Sequence, residues 1–198
     1  MKKWLIPLII IVVLGFIAVS VFGGINNTAV EHEENAKTAW ANVEGAYQRR
    51  SDLIPNLVST VKGAADFEQE TLTAVIEARA KATSVNVNAD NLDAASIEKF
   101  KEAQGGLSSA LSRLLVSVER YPELKATENF KQLQSQLEGT ENRINVERNR
   151  YNEAVRNYNT YIRKFPNNMV VGMFGFERMT PFSADEGSEK APDVDFKN

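Results

Sequence analysis

Apolar and polar positions change rhythm along the chain. From Trp4 to Phe22 the run WLIPLIIIVVLGFIAVSVF carries no charge. As a helix it spans about 28 Å at 1.5 Å per residue, close to the hydrocarbon thickness of a bilayer. Pro7 lies in the first turn, where a missing amide is tolerated, and Gly23-Gly24 marks the exit. After that the apolar residues fall three or four apart. Ala36, Trp40, Val43, Tyr47, Ile54, Leu57 and Val61 form one stripe of a helix from about Asn26 to Lys62. Pro55 interrupts the stripe without shifting its phase, which predicts a kink and not an end, and Gly63 is the expected stop. A second helix is predicted from the N-cap Asp66 to about Thr83, with Leu72, Val75, Ile76 and Arg79 on one face. The pattern dissolves in SVNVNADNL, Ser84 to Leu92, which reads as a surface loop.

A third helix is expected from Ala94 to Tyr121. Its face is Ile97, Phe100, Gln104, Leu107, Leu111, Leu114, Val118 and Tyr121, and Pro122 ends it. Gly105-Gly106 either weakens its middle or admits another backbone. The fourth, about Glu128 to Lys164, repeats Phe130, Leu137, Ile144, Tyr151, Tyr158 and Phe165 every seven residues, a coiled-coil-like seam. Gln134, Glu141, Arg148, Val155 and Ile162 accompany it. The first and fourth helices outrun the other two, so a stalk or a partner must cover their excess apolar surface. The stretch from Phe165 to Phe182 (FPNNMVVGMFGFERMTPF) is too apolar for an open loop. It must pack on the bundle end, a neighbouring subunit or the membrane surface.

These elements predict an all-α chain: an N-terminal transmembrane helix followed by an elongated antiparallel bundle of about four helices. Residues 1–24 are the anchor, 25–182 the bundle with its apolar C-terminal segment, and 183–198 an acidic tail expected to be disordered. A cleaved secretory signal is the competing reading of the first segment. The apolar core is long for one, and no small-x-small cleavage site stands clearly after it. Charge adds a direction. Lys2 and Lys3 precede the run, while Glu31, Glu33 and Glu34 follow it ahead of Lys37. The positive-inside rule then keeps the N-terminus cytoplasmic and exports the bundle, which in a diderm cell would face the periplasm.

Composition removes several chemistries. The chain has no cysteine, which excludes disulfides, thiolate metal sites, cysteine nucleophiles and a lipoprotein anchor. The single histidine, His32, cannot build the usual zinc or iron sites and reads as a solvated helix-surface residue. A net charge of −3 argues against a broad nucleic-acid-binding surface. No acid/base pair, nucleophile with its base, or phosphate loop is present, so no enzyme, cofactor or metal is expected. The candidate polar network or interface is Arg49, Arg50 and Asp52 beside the proline, with Glu141, Arg148, Tyr151 and Asn152 on the fourth helix. Asp52 is expected to pair with an arginine or to cap the restarted helix. Glu141 and Arg148 need partners from another helix, and Glu119 with Arg120 is one suggestion. A ligand site and a buried network fixing helix register are both open to such a band; the register reading is favoured.

Four strings carry a family resemblance: RRSDLIPNLVSTVKG (Arg49 to Gly63), ALSRLLVSVERYPELKATENFKQLQSQLEGTENRI (Ala110 to Ile144), ERNRYNEAVRNYNTYIRKFP (Glu147 to Pro166) and GMFGFERMTPF (Gly172 to Phe182). DLIPNLV, YPELKA, ENRI and RYNEAV in this order resemble the LemA family over nearly the whole chain. The resemblance implies a bacterial membrane-anchored helical bundle with no known catalytic activity. Some members are associated with magnetosome membranes, and others are encoded beside a membrane zinc metalloprotease. The family is often described with its short N-terminus outside and its domain inside, opposite to the charge reading kept here. The expectation is a self-associating scaffold or partner-docking protein, held in lipid through residues 4–22. The alternative is a regulatory module acting on a membrane partner such as a membrane metalloprotease.

Overall fold

The computed structural model describes residues 4–63, 67–87, 89 and 92–182. The predicted cap Asp66, the lysines before the apolar run and the acidic tail lie outside them. The described residues form six helices: α1 (Leu5–Lys62), α2 (Gln69–Ser84), α3 (Ala94–Val118), α4 (Pro122–Ala126), α5 (Glu128–Arg163) and α6 (Asn167–Val171).

Membrane run and first bundle helix are one element. α1 passes through Gly23-Gly24 and through Pro55 without a break, about 87 Å in all. A Cβ added at Gly23 or Gly24 meets no other atom within 4 Å, so these glycines serve no close packing. From Leu5 to Phe22 every large apolar side chain is exposed, as a lipid-facing span requires. Burial starts at Ile25 and then follows the predicted stripe, with Ala36, Trp40, Val43, Tyr47, Ile54, Leu57 and Val61 all buried.

Contacts give the topology. Along α1, Ile25, Trp40 and Arg50 meet Tyr161, Tyr151 and Glu141 of α5 in turn, so the two long helices run antiparallel. Lys81 lies beside Glu102, and Glu68 beside Arg120, so α2 and α3 are antiparallel as well. Tyr47 packs on Phe100 and Arg50 reaches Ser108, which sets α3 parallel to α1. Three apolar clusters follow one another along the axis. The distal one joins Ile54, Leu57 and Val61 to Leu107, Leu114 and Phe130. The middle one joins Trp40 and Tyr47 to Phe100, Ile144, Tyr151 and Phe182. The membrane-end one joins Ile25 and Ala29 to Tyr158, Ile162, Val170 and Val171.

That last cluster resolves the mismatch in helix length. α2 and α3 cover only the distal and middle clusters, and α6 covers the rest. Other expectations are corrected. α2 starts at Gln69, after the predicted cap. α3 starts at Ala94 as expected, capped by Asp93, whose carboxylate accepts from the Ser96 amide at 2.7 Å and is held below its ordinary pKa by that bond. α3 stops at Val118, and Pro122 opens the short α4, where a residue without an amide hydrogen loses nothing. Val87 and Leu92 are buried, so the 84–92 connection is not wholly a surface loop. Ile76 is half exposed and leaves the α2 stripe. No other backbone approaches Gly105 or Gly106. The seven-residue seam is buried from Phe130 to Tyr158 but ends there, because Phe165 is exposed.

Candidate functional site

A polar belt separates the distal and middle clusters, and Arg50 is its centre. The guanidinium is only 2% exposed and sits 5.0 Å from the Tyr47 ring. Nη1 donates to Ser108 Oγ at 2.7 Å and to Glu141 Oε2 at 3.1 Å. Nη2 donates to the Gln104 side-chain oxygen at 2.9 Å and to its backbone oxygen at 3.2 Å. Gln104 Nε2 passes the network on to the Ala82 carbonyl at 3.3 Å. One arginine thus links α1, α3 and α5, and through Gln104 reaches α2. A buried guanidinium needs this many acceptors, since each donor left bare carries a desolvation cost.

Pro55 adds a second tie. Without an amide hydrogen it cannot close the helical bond to the carbonyl of Ser51, four residues earlier. That residue is buried, and Arg79 Nε of α2 donates to its carbonyl at 2.8 Å. The proline frees an acceptor and the neighbouring helix uses it.

The last residues of the described chain form a strap. Gly175, with φ +77°, takes a left-handed turn that suits glycine. Residues 177–182 then lie along α5. Tyr158 Oη donates to the Glu177 carbonyl and Tyr151 Oη to the Thr180 carbonyl, both at 2.8 Å. Asn159 bonds the amide and the carbonyl of Met179 at 3.0 and 2.8 Å. Asn152 does the same for Phe182 at 2.7 and 2.9 Å. A Tyr-Asn pair thus recurs seven residues apart on one face of α5 and holds the strap by its main chain. Burial raises the Tyr151 phenol above its ordinary range and pushes Tyr158 up to about 12. Phe182 plugs the middle cluster, stacked against Trp40, and the Arg148 guanidinium lies 4.3 Å from its ring centroid.

The seven candidate residues therefore divide. Arg50 and Glu141 meet in the belt. Arg148, Tyr151 and Asn152 hold the strap. Arg49 is exposed. Asp52 is exposed too, and accepts from Gln48 Nε2 at 2.8 Å in place of an arginine or a cap. Glu119 and Arg120 do not complement the band: Glu119 pairs with Lys125, and Arg120 with Glu68 at 2.6 Å. His32 is half-buried, with its ring 5.1 Å from that of Tyr161, so it is not simply solvated. Sequence reasoning missed Arg79, Ser108 and Asn159 as polar partners. The repeated Tyr-Asn pair was the available signal for the strap.

A family model described as the LemA family matches residues 39–196. The magnetosome protein MamQ 2 of Paramagnetospirillum magneticum is 28% identical over 174 residues, covering 79% of this chain and 64% of that protein. MamQ of Magnetospirillum gryphiswaldense is 27% identical over 175 residues, with the same coverage of 79% and 64%. Protein LemA of Metamycoplasma hominis is 24% identical over 185 residues, covering 93% of this chain and 80% of that one. The chain spans about 64% of the length of the MamQ proteins it matches.

Proposed function

Because this chain belongs to the LemA family, we propose that it is a non-enzymatic, membrane-anchored scaffold that self-associates or docks partners at the bacterial inner membrane. The observation that carries this reading is α1. A single helix is bare and lipid-length at one end and forms a wall of the bundle at the other. Such a rod transmits the orientation of the membrane span to the bundle. Tethering also concentrates copies in two dimensions, which favours weak side-by-side contacts. The magnetosome name of the MamQ relatives is in keeping with work at a membrane. The charge order around the span supports an extracytoplasmic bundle.

Light scattering of the full chain in detergent and in nanodiscs tests the scaffold. The expected result is a particle of more than one copy, or a stable complex with a second membrane protein. A strictly monomeric particle that retains no partner sinks it. A second reading, a regulatory module acting on a membrane partner such as a metalloprotease, draws on a cleft of about 220 Å³ beside the belt. It is lined by Arg50, Ser108, Gln134, Glu138 and Glu141 among others. If apolar replacement of Glu138 and Glu141, which line that cleft, abolishes partner capture while the fold survives, that module is favoured.

A further inference from the structure

The segment between α5 and the strap has an apolar face that the bundle does not use. Residues 165–176 carry no charge. Val170 and Val171 turn inward onto Ile25, Ala29 and Ile162. Phe165 is 81% exposed, Met169 66%, Met173 81% and Phe174 57%. Met169 lies on α6, and Phe165 and Met173 lie in the turns that flank it.

Position along the axis says what meets this face. The Tyr161 hydroxyl reaches the Ile25 carbonyl at 3.2 Å, so α5 ends beside the exit of the membrane span. Ile25 is three residues past Phe22, about 4.5 Å along the helix, and Ala29 is about 10 Å past it. α6 packs at that level. A bilayer is about 30 Å thick in hydrocarbon and about 40–45 Å with headgroups, which leaves roughly 5–8 Å of interface on each side. The α6 level, about 4.5 to 10 Å past Phe22, overlaps that layer if the span ends at Phe22. Val21 and Phe22, the last residues of the span, are exposed and apolar too, and lie within one turn of Ile25, whose cluster holds α6. Arg163 and Lys164, both exposed, stand directly before the segment, placed for lipid phosphates.

We propose that residues 165–176 are a second membrane contact, an interfacial foot. Phe165, Met169, Met173 and Phe174 insert at the headgroup–acyl boundary of the leaflet from which α1 emerges. The occupant is lipid, because the face adjoins the span and lies at interface depth. The inference rests on α1 crossing the membrane, and not on the scaffold role or on which side the bundle faces. Two contacts at different azimuths limit the tilt and rotation that a single span would leave free.

The absence of native cysteine makes single spin labels direct. The full chain in phosphatidylcholine nanodiscs would carry V12C in the span, M169C or M173C in the foot, or V116C on the distal, 71% exposed end of α3. Power saturation compares collisions with oxygen, which partitions into lipid, and with a water-soluble nickel chelate. The expected oxygen-to-nickel ratio at M169C and M173C is several-fold above that at V116C and approaches the ratio at V12C. If both foot labels match V116C while V12C is lipid-shielded, the foot is overturned and the span stands. A nickel-exposed V12C overturns the span and the foot with it. Foot labels shielded from both reagents, with dipolar broadening that fades on dilution by unlabelled chain, would show contact between copies and overturn the lipid assignment.

Discussion

At the scale of single residues, Arg50 carries the largest unshared risk. Its guanidinium is buried, whereas its carboxylate partner Glu141 is half exposed. The two partners therefore respond differently to removal. Glu141→Leu leaves a charge in the interior without its counter-charge, at a cost of about 1.5–3 kcal/mol, set toward the lower end by solvent near the carboxylate. Arg50→Met removes the buried charge but also frees the Gln104 oxygens and the Ser108 hydroxyl. The double variant R50M/E141L is expected to cost less than the sum of the two single changes, because the second no longer strands anything. Chemical denaturation of the full chain in detergent, read by fluorescence of the buried Trp40, closes the cycle. Strict additivity would mean that the belt is not a coupled network.

The next scale is the helix and its interruptions. Pro55 lies in mid-helix, where proline ordinarily costs about 3 kcal/mol or more. Here its missing hydrogen bond leaves the Ser51 carbonyl to Arg79, so part of that cost is offset by a tie between α1 and α2. Arg79→Leu should strand a buried carbonyl and cost about 1–3 kcal/mol. Pro55→Ala returns the local donor, and in that background R79L is expected to cost measurably less. Equal costs of R79L in both backgrounds, measured by the same denaturation, would rule out the exchange. Helices were the most legible level of the sequence. The spacing of Trp40, Tyr47, Ile54 and Leu57, and the seven-residue repeat from Phe130 to Tyr158, mark surfaces that must be buried, and the structure buries them. Boundaries were less legible where short-range chemistry decides: the start of α3 at Ala94 was readable, but α3 stops at Val118 and Pro122 opens a short helix that periodicity alone does not locate. The belt was only half legible. Glu141 beside the seam signalled a missing partner, but which arginine of the adjacent pair turns inward depends on helix phase, and the Arg79 tie exists only once α2 lies against α1.

For the molecule as a whole, the strap joins the membrane-end cluster, where Tyr158 packs, to the middle cluster that Phe182 fills. It returns from the foot toward the bundle centre, so holding it closed is part of holding the membrane end together. Both phenols that hold it gain proton affinity on folding: burial opposes their ionisation, Glu33 and Glu177 add to that at Tyr158 against an opposing pull from Lys37, and the Tyr158 value rises from 10.0 to about 12. A folded-state pKa above the unfolded one means that the native state keeps its proton more tightly. The corresponding stability is fully present below pH about 10 and is lost as pH rises through about 12. Ionised phenolates can no longer donate to the Glu177 and Thr180 carbonyls, so strap release and loss of stability should coincide. Tyr158→Phe is expected to cost about 0.5–1.5 kcal/mol at neutral pH through the lost hydrogen bond. It should also flatten the fall in stability between pH 10 and 12, and Y151F/Y158F should flatten it further. A label on the strap at Thr180, introduced as T180C, reports release directly by its mobility. If the wild-type chain and Y151F/Y158F lose stability equally over that window, ionisation of these two tyrosines is not what opens the strap.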